Sequence, residues 1–175
     1  MADFLEQFKL CLPGRICLLG LGNVDSGDDG FGVRLAEALI RCGAPGPFAR
    51  GELQTLSSSL YCLIAGTEPE RFVGRLAARG FDHLVFLDAV EFGGPPGSVV
   101  LLNSDQMQAR FPQVSTHALS LGLLARWVEG NGVAKAWLLG VEPASVQPGS
   151  PLSGPVQETL GRLLEVFRAE CPLLC

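Results

Sequence analysis

Lysine is nearly absent: Lys9 and Lys135 are the only two in 175 residues, and thirteen basic against eighteen acidic residues leave a net charge of −5. A chain so poor in cations has no basic stripe to track a phosphate backbone, which excludes nucleic acid as the expected partner. Long apolar runs are also missing. A stretch such as Ile16 to Leu21 is six residues, far short of the roughly twenty that cross a bilayer, so no membrane span is expected. The six cysteines, at 11, 17, 42, 62, 171 and 175, form no CxxC pair and no zinc-finger spacing, which removes a zinc module. No GxSxG elbow, HExxH pair or internal repeat occurs, so serine-hydrolase and zincin chemistry lack their marks. The first fifteen residues, MADFLEQFKLCLPGR, carry Asp3 and Glu6 where a secretory signal would be basic, and the protein is expected in the cytoplasm with reduced thiols.

Hydrophobic residues make up 47% of the chain, charged residues 18%, and mean hydropathy is +0.31. These values exclude a mainly disordered chain and suit strands buried on both faces. Length predicts one domain over 1–175, with 171–175 as a frayed tail. Buried strands are predicted at Arg15–Leu21, Leu60–Ala65, His83–Asp88 and Ala134–Val141, with an edge strand around Glu52–Leu56 and an added strand at SVVLL after the loop GGPPG. Helical periodicity marks Val33–Ile40, a segment opening at Pro69, Thr116–Glu129 and Ser153–Ala169. Alternation of strand and helix predicts a three-layer α/β sandwich, a twisted and mostly parallel sheet of about five strands with helices on both faces. In such sheets the ligand crevice lies beyond the carboxyl ends of the strands.

Chemistry should therefore follow strands. After the first one stands GLGNVDSGDDGFG, Gly20 to Gly32. As a dinucleotide loop it lacks the third glycine of GxGxxG, since Asp25 stands there, and its aspartates would repel a pyrophosphate. Asp28 and Asp29 read either as helix caps, worth about 1 kcal/mol each, or as ligands for a cation. One carboxylate suffices for a cap, and a second beside it costs repulsion, so at least one is assigned to function. Asp88 closes a run of apolar residues, HLVFLD. An acid there is expensive to bury unless paired or metal-bound, and the alternative is a turn aspartate bonding its own backbone. His117 opens a helix in VSTHALSL and is either a hydrogen-bonded core residue or, as a neutral imidazole, a ligand. His83, at a strand start away from the crevice, reads as structural or exposed. Two carboxylates and one imidazole make a donor set that zinc, nickel or manganese accepts.

These residues resemble the hydrogenase maturation proteases, which trim the C-terminal extension from the large-subunit precursor of [NiFe] hydrogenases. GLGNVDSGDDGFGVRLAEAL is similar to the family's GxGN(x)3–4DDGxG signature, LVFLDAVEFGGPPG to its strand-end aspartate and PG loop, STHALSL to its histidine segment, and LLGVEPASVQPGSPLSGPV to its later strand and final helix. The resemblance implies that Asp29, Asp88 and His117 contact nickel, which arrives on the precursor as a sign of completed assembly, with no organic cofactor. It leaves the catalytic group open between Asp29 and Asp88, and it suggests substrate contacts at Asn23, Asp28, Gly66 and Thr67. In two respects the chain departs from the family's pattern: residues 1–13 precede the typical start, and Ile64 and Ala65 stand where an acid is often found before the GTEPERF turn. Two other readings of the sequence are a module that binds nickel-loaded precursor without cutting it, and a nucleotide-binding α/β domain.

Overall fold

The computed structural model describes residues 13–44, 46–111 and 120–170. His117, the 171–175 tail and all of the 1–13 extension except Pro13 lie outside the described residues, as do Cys11, Cys171 and Cys175. The described elements are β1 (Ile16–Leu21), a 3-10 turn (Gly27–Gly30), α1 (Phe31–Gly43), β2 (Gln54–Thr55), β3 (Leu60–Gly66), α2 (Glu70–Ala77), β4 (His83–Ala89), β5 (Val99–Asn103), α3 (Ser104–Arg110), α4 (Leu121–Asn131), β6 (Lys135–Val141) and α5 (Gly154–Glu170). They form one sheet in the order β2-β3-β1-β4-β6-β5. The four inner strands are parallel, and the two outer ones pair antiparallel, β2 on β3 and β5 on β6.

The sheet thus has six strands where about five are predicted, and the two-residue β2 falls within the edge strand expected around Glu52–Leu56. A further departure is α3, which the apolar periodicity misses because the helix is only seven residues long. What starts it is a capping box. The Asn103 side chain accepts from the Gln106 N–H and the Gln106 side chain accepts from the Asn103 N–H, both at 2.9 Å.

Strand alternation divides the core. Leu18, Val85 and Leu87 face α1 and α5, whereas Cys17, Leu19, Leu84 and Phe86 face α2, α3 and α4. Helix α1 has no side-chain hydrogen bond at its N-cap, Gly30, so neither Asp28 nor Asp29 caps it. The loss of about 1 kcal/mol is small against burial of Leu35, Leu39 and Ile40, each worth roughly 1.5–3 kcal/mol.

Helix α1 also approaches the sheet backbone closely, and Gly32 permits it. A Cβ at that position would lie 1.8 Å from the Leu87 carbonyl oxygen. Gly32→Ala must therefore push α1 off the carboxyl ends of β1 and β4, and is expected to cost about 2–3 kcal/mol in a urea melt.

This topology locates the crevice. From β1 the chain passes to β3 on one side, then crosses to β4 on the other, so the switch point lies between the carboxyl ends of β1 and β4. Helix α4 precedes β6, which runs parallel to β4, so α4 begins at that same end of the sheet. No helix among the described residues is long and apolar enough to cross a membrane.

Candidate active site

The loop leaving β1 folds back on itself immediately. Gly22 has φ +102°, and a Cβ there would sit 1.7 Å from the Asp29 carbonyl oxygen, so only glycine suits both the backbone angle and the contact. Its N–H donates to the Gly66 carbonyl at 3.0 Å, tying the loop to the end of β3. The Asn23 N–H donates to Asp29 Oδ2 at 2.8 Å, and the Asn23 side chain accepts from the Asp25 N–H at 3.0 Å. Asp29 is thereby fixed at the head of the loop, with Oδ1 unpaired among the described residues. Arg34, on the first turn of α1, adds a clamp through Nη2, which donates to the Val24 carbonyl at 3.1 Å.

Asp88 is the sixth residue of β4 and follows the alternation of Leu84 and Phe86, so its side chain leaves the sheet on the face carrying α4. It is half-buried, and among the described residues the carboxyl has one hydrogen bond, from its own neighbour's N–H, Ala89, at 2.9 Å. Burial first and the charge on Asp29 second push the Asp88 carboxyl up, against the opposing Ala89 N–H, to about 8. The structure thus brings together Asp29 and Asp88, two carboxylates close enough to repel, at the switch point of the sheet. Such a pair is stabilised by a proton or a cation placed between them. Among the described residues no third His, Cys, Asp or Glu joins them in a metal-sized cluster.

Asp28 has a different position from the one expected. It is fully buried and does not reach a substrate. Its Oδ2 accepts from the Ala144 and Ser145 N–H groups at 2.8 and 3.0 Å, and its Oδ1 from the Ser153 N–H at 2.7 Å. Burial pushes this carboxyl up, but the hydrogen bonds from Ser153, Ser145 and Ala144 outweigh burial and hold it below its ordinary value. Asp28 therefore pins the β6–α5 connection to the 3-10 turn, and the paired aspartates divide the work: one structural, one facing the crevice. Gly66 is buried and Thr67 exposed, both at the crevice end of β3, and Asn23 is half-buried beside Asp29. His83 lies at the opposite end of β4. It is buried and accepts from the Trp137 indole N–H at 3.0 Å, while burial holds its ring below the ordinary histidine value against the opposing pull of Asp82 and Pro13.

The same loop fails as a phosphate cradle. The backbone N–H groups of Gly22, Asn23 and of Asp25 through Asp29 all donate to acceptors inside the protein. A nucleotide would find none of these amides free, so the geometry opposes the nucleotide-binding reading.

One buried acid escaped the sequence reading. Glu142, directly after the apolar end of β6, is 8% exposed and accepts from the Phe92 and Gly94 N–H groups. Its signal, an acid closing an apolar run, is the one that marks Asp88. What separates the two is whether backbone amides saturate the carboxylate.

Comparison with known proteins agrees with this layout. The sequence profile of a family described as hydrogenase maturation protease matches residues 51–170. The chain is 32% identical to the hydrogenase 2 maturation protease of Escherichia coli K12, over 86% of this chain and 87% of that protein. Among solved structures, the [NiFe] hydrogenase maturation protease HycI from Thermococcus kodakarensis superposes with a TM-score of 0.76 at 29% identity, covering 98% of each chain. The hydrogenase maturating endopeptidase HybD from E. coli gives 0.67 at 30% identity, over 89% of this chain and 91% of that one. The profile match stops short of Gly22–Gly30, so the resemblance of that loop rests on the pairwise and structural matches.

Proposed function

The chain belongs to the hydrogenase maturation protease family, and on that premise we propose that it is an endopeptidase that removes the C-terminal extension of a [NiFe] hydrogenase large-subunit precursor once nickel is in place. Nickel is part of the substrate in this reading, and Asp29, Asp88 and His117 are its contacts. The supporting observation is the mutual repulsion of Asp29 and Asp88 at the switch point. A crevice that holds two carboxylates with no cationic side chain bonded to either among the described residues favours a ligand that brings its own positive charge. Imidazole from His117 would complete an O,O,N set acceptable to nickel, and α4, which follows His117 in the chain, begins at the crevice end of the sheet. A precursor without nickel lacks the ion that relieves the repulsion, so affinity and cleavage follow metal insertion. The attack on the peptide bond requires a group that accepts a proton, and Asp29 and Asp88 are the candidates. Asn23, Gly66 and Thr67 line the path expected for the peptide. The reaction takes place in the cytoplasm and uses no organic cofactor.

The test is intact-mass measurement after incubating purified protein with nickel-loaded and nickel-free precursor. Only the loaded form is expected to lose its C-terminal extension. Equal cleavage of both overturns nickel gating. Loaded precursor that is bound but stays whole identifies a non-cleaving recognition module instead.

A further inference from the structure

We infer that Glu142 is a positioning residue that sets the direction of Asp88 through the loop that follows it, an inference that rests on the reading of Asp88 given above. The Asp88 carboxyl has one hydrogen bond among the described residues, to the N–H of its own neighbour, so its orientation depends on where the backbone goes after β4. That backbone enters Glu91–Gly97, a segment whose glycines and prolines make few bonds among themselves: the described one is Ser98 N–H to the Pro95 carbonyl at 3.0 Å. The end of β6 holds it instead, together with Thr159 of α5, whose hydroxyl donates to the Gly97 carbonyl at 2.6 Å. The Val90 N–H donates to the Val141 carbonyl, the Gly97 N–H to the Glu142 carbonyl, and the Glu142 N–H to the Ser98 carbonyl, each at 2.9 Å. In the centre, the Glu142 carboxylate accepts from Phe92 at 2.8 Å and from Gly94 at 3.1 Å.

Both bonds run from peptide groups to one buried oxygen, Glu142 Oε2, so a single acceptor fixes both amides. They hold the loop at its midpoint, where the strand ladder does not reach. Removing the carboxylate frees Phe92 and Gly94, and with them the loop that begins two residues after Asp88. Misplacement of a reacting group by about 1 Å costs on the order of a hundredfold in rate, so a loop that relaxes only partly still has a measurable effect on turnover.

The experiment compares Glu142→Ala and Glu142→Gln by amide hydrogen exchange and by cleavage of nickel-loaded precursor. In Glu142→Ala, protection of the Phe92 and Gly94 amides is expected to fall while the amides of β4 and β6 keep theirs. Its kcat is expected to drop by about tenfold or more with KM nearly unchanged. Glu142→Gln keeps an oxygen acceptor and should return most of both. If the alanine variant does not fold, Glu142→Asp, one methylene shorter, must show the same pattern. Processing that is unchanged after the loop loses protection overturns the inference, as does an equal loss in the alanine and glutamine variants, or a loss carried by KM alone. A wild-type chain that cleaves nothing instead overturns the protease reading, and the exchange data then still decide whether Glu142 holds the loop.

Discussion

Asp88→Asn is expected to give a protein that resists unfolding better than the wild type at pH 8 and no longer processes precursor. In the folded chain the Asp88 carboxyl is raised from 3.8 to about 8, so between those values the native state keeps a proton that the unfolded state releases. Stability therefore declines as pH rises from about 4 to about 8, because the unfolded chain gains its charge first. Asparagine has no proton to lose, and its side-chain oxygen still accepts the Ala89 N–H. After discounting for partial exposure of the group, the gain at pH 8 is about 2 kcal/mol, and it should shrink towards zero near pH 4. Denaturant midpoints of the two proteins across this range measure the difference, and the contribution of His83, common to both, cancels. Activity moves the other way. An amide supplies neither the charge that attracts a divalent ion nor a base, so cleavage of nickel-loaded precursor should fall by about a hundredfold or more. A variant that is both active and more stable would remove Asp88 from the site.

Asp28→Ala is expected to do the opposite, acting on the fold first. Its carboxylate is the common acceptor for Ala144, Ser145 and Ser153, and deletion leaves three N–H groups without it and a small void in their midst. Hydrogen bonds to a charged group are worth roughly 1.5–3 kcal/mol each. Water can recover part of this at Ala144 and Ser145, which belong to an exposed connection, so the expected loss is about 3 kcal/mol. For a chain of this size that lowers the melting temperature by roughly 6–12 °C. The Asp28 carboxyl is held below its ordinary value, so its contribution is complete above the unfolded value of 3.8 and is lost as pH falls through the lower folded value. The deficit of Asp28→Ala against the wild type should therefore be constant from pH 5 upward and shrink in stronger acid. A melting temperature equal to that of the wild type at neutral pH would show that the tie to the β6–α5 connection carries no load.

The difference between these two substitutions shows where sequence reading ends. Adjacent aspartates in one loop carry the same local signal, and nothing within DSGDDG distinguishes them. Their fates are decided by residues 116 to 125 positions away, which fold over Asp28 and leave Asp29 at the crevice. The pair Asp88 and Glu142 repeats the lesson, each an acid at the end of a buried strand, one with a single local hydrogen bond and the other holding the amides of a loop some fifty residues earlier.

The sequence by itself determined the class of fold and the placement of all the inner strands and both edge strands, and it nominated Asp29, Asp88 and His117 as candidates, because burial on both faces and turns rich in glycine leave their mark in local composition. Tertiary structure alone decided which acids are saturated by backbone amides, that α3 exists, and that the ends of β1 and β4 form the switch point where Asp29 and Asp88 repel each other. Hydrogen-bond saturation and charge repulsion depend on distances between segments remote in the chain, and those distances exist only once the sheet has assembled.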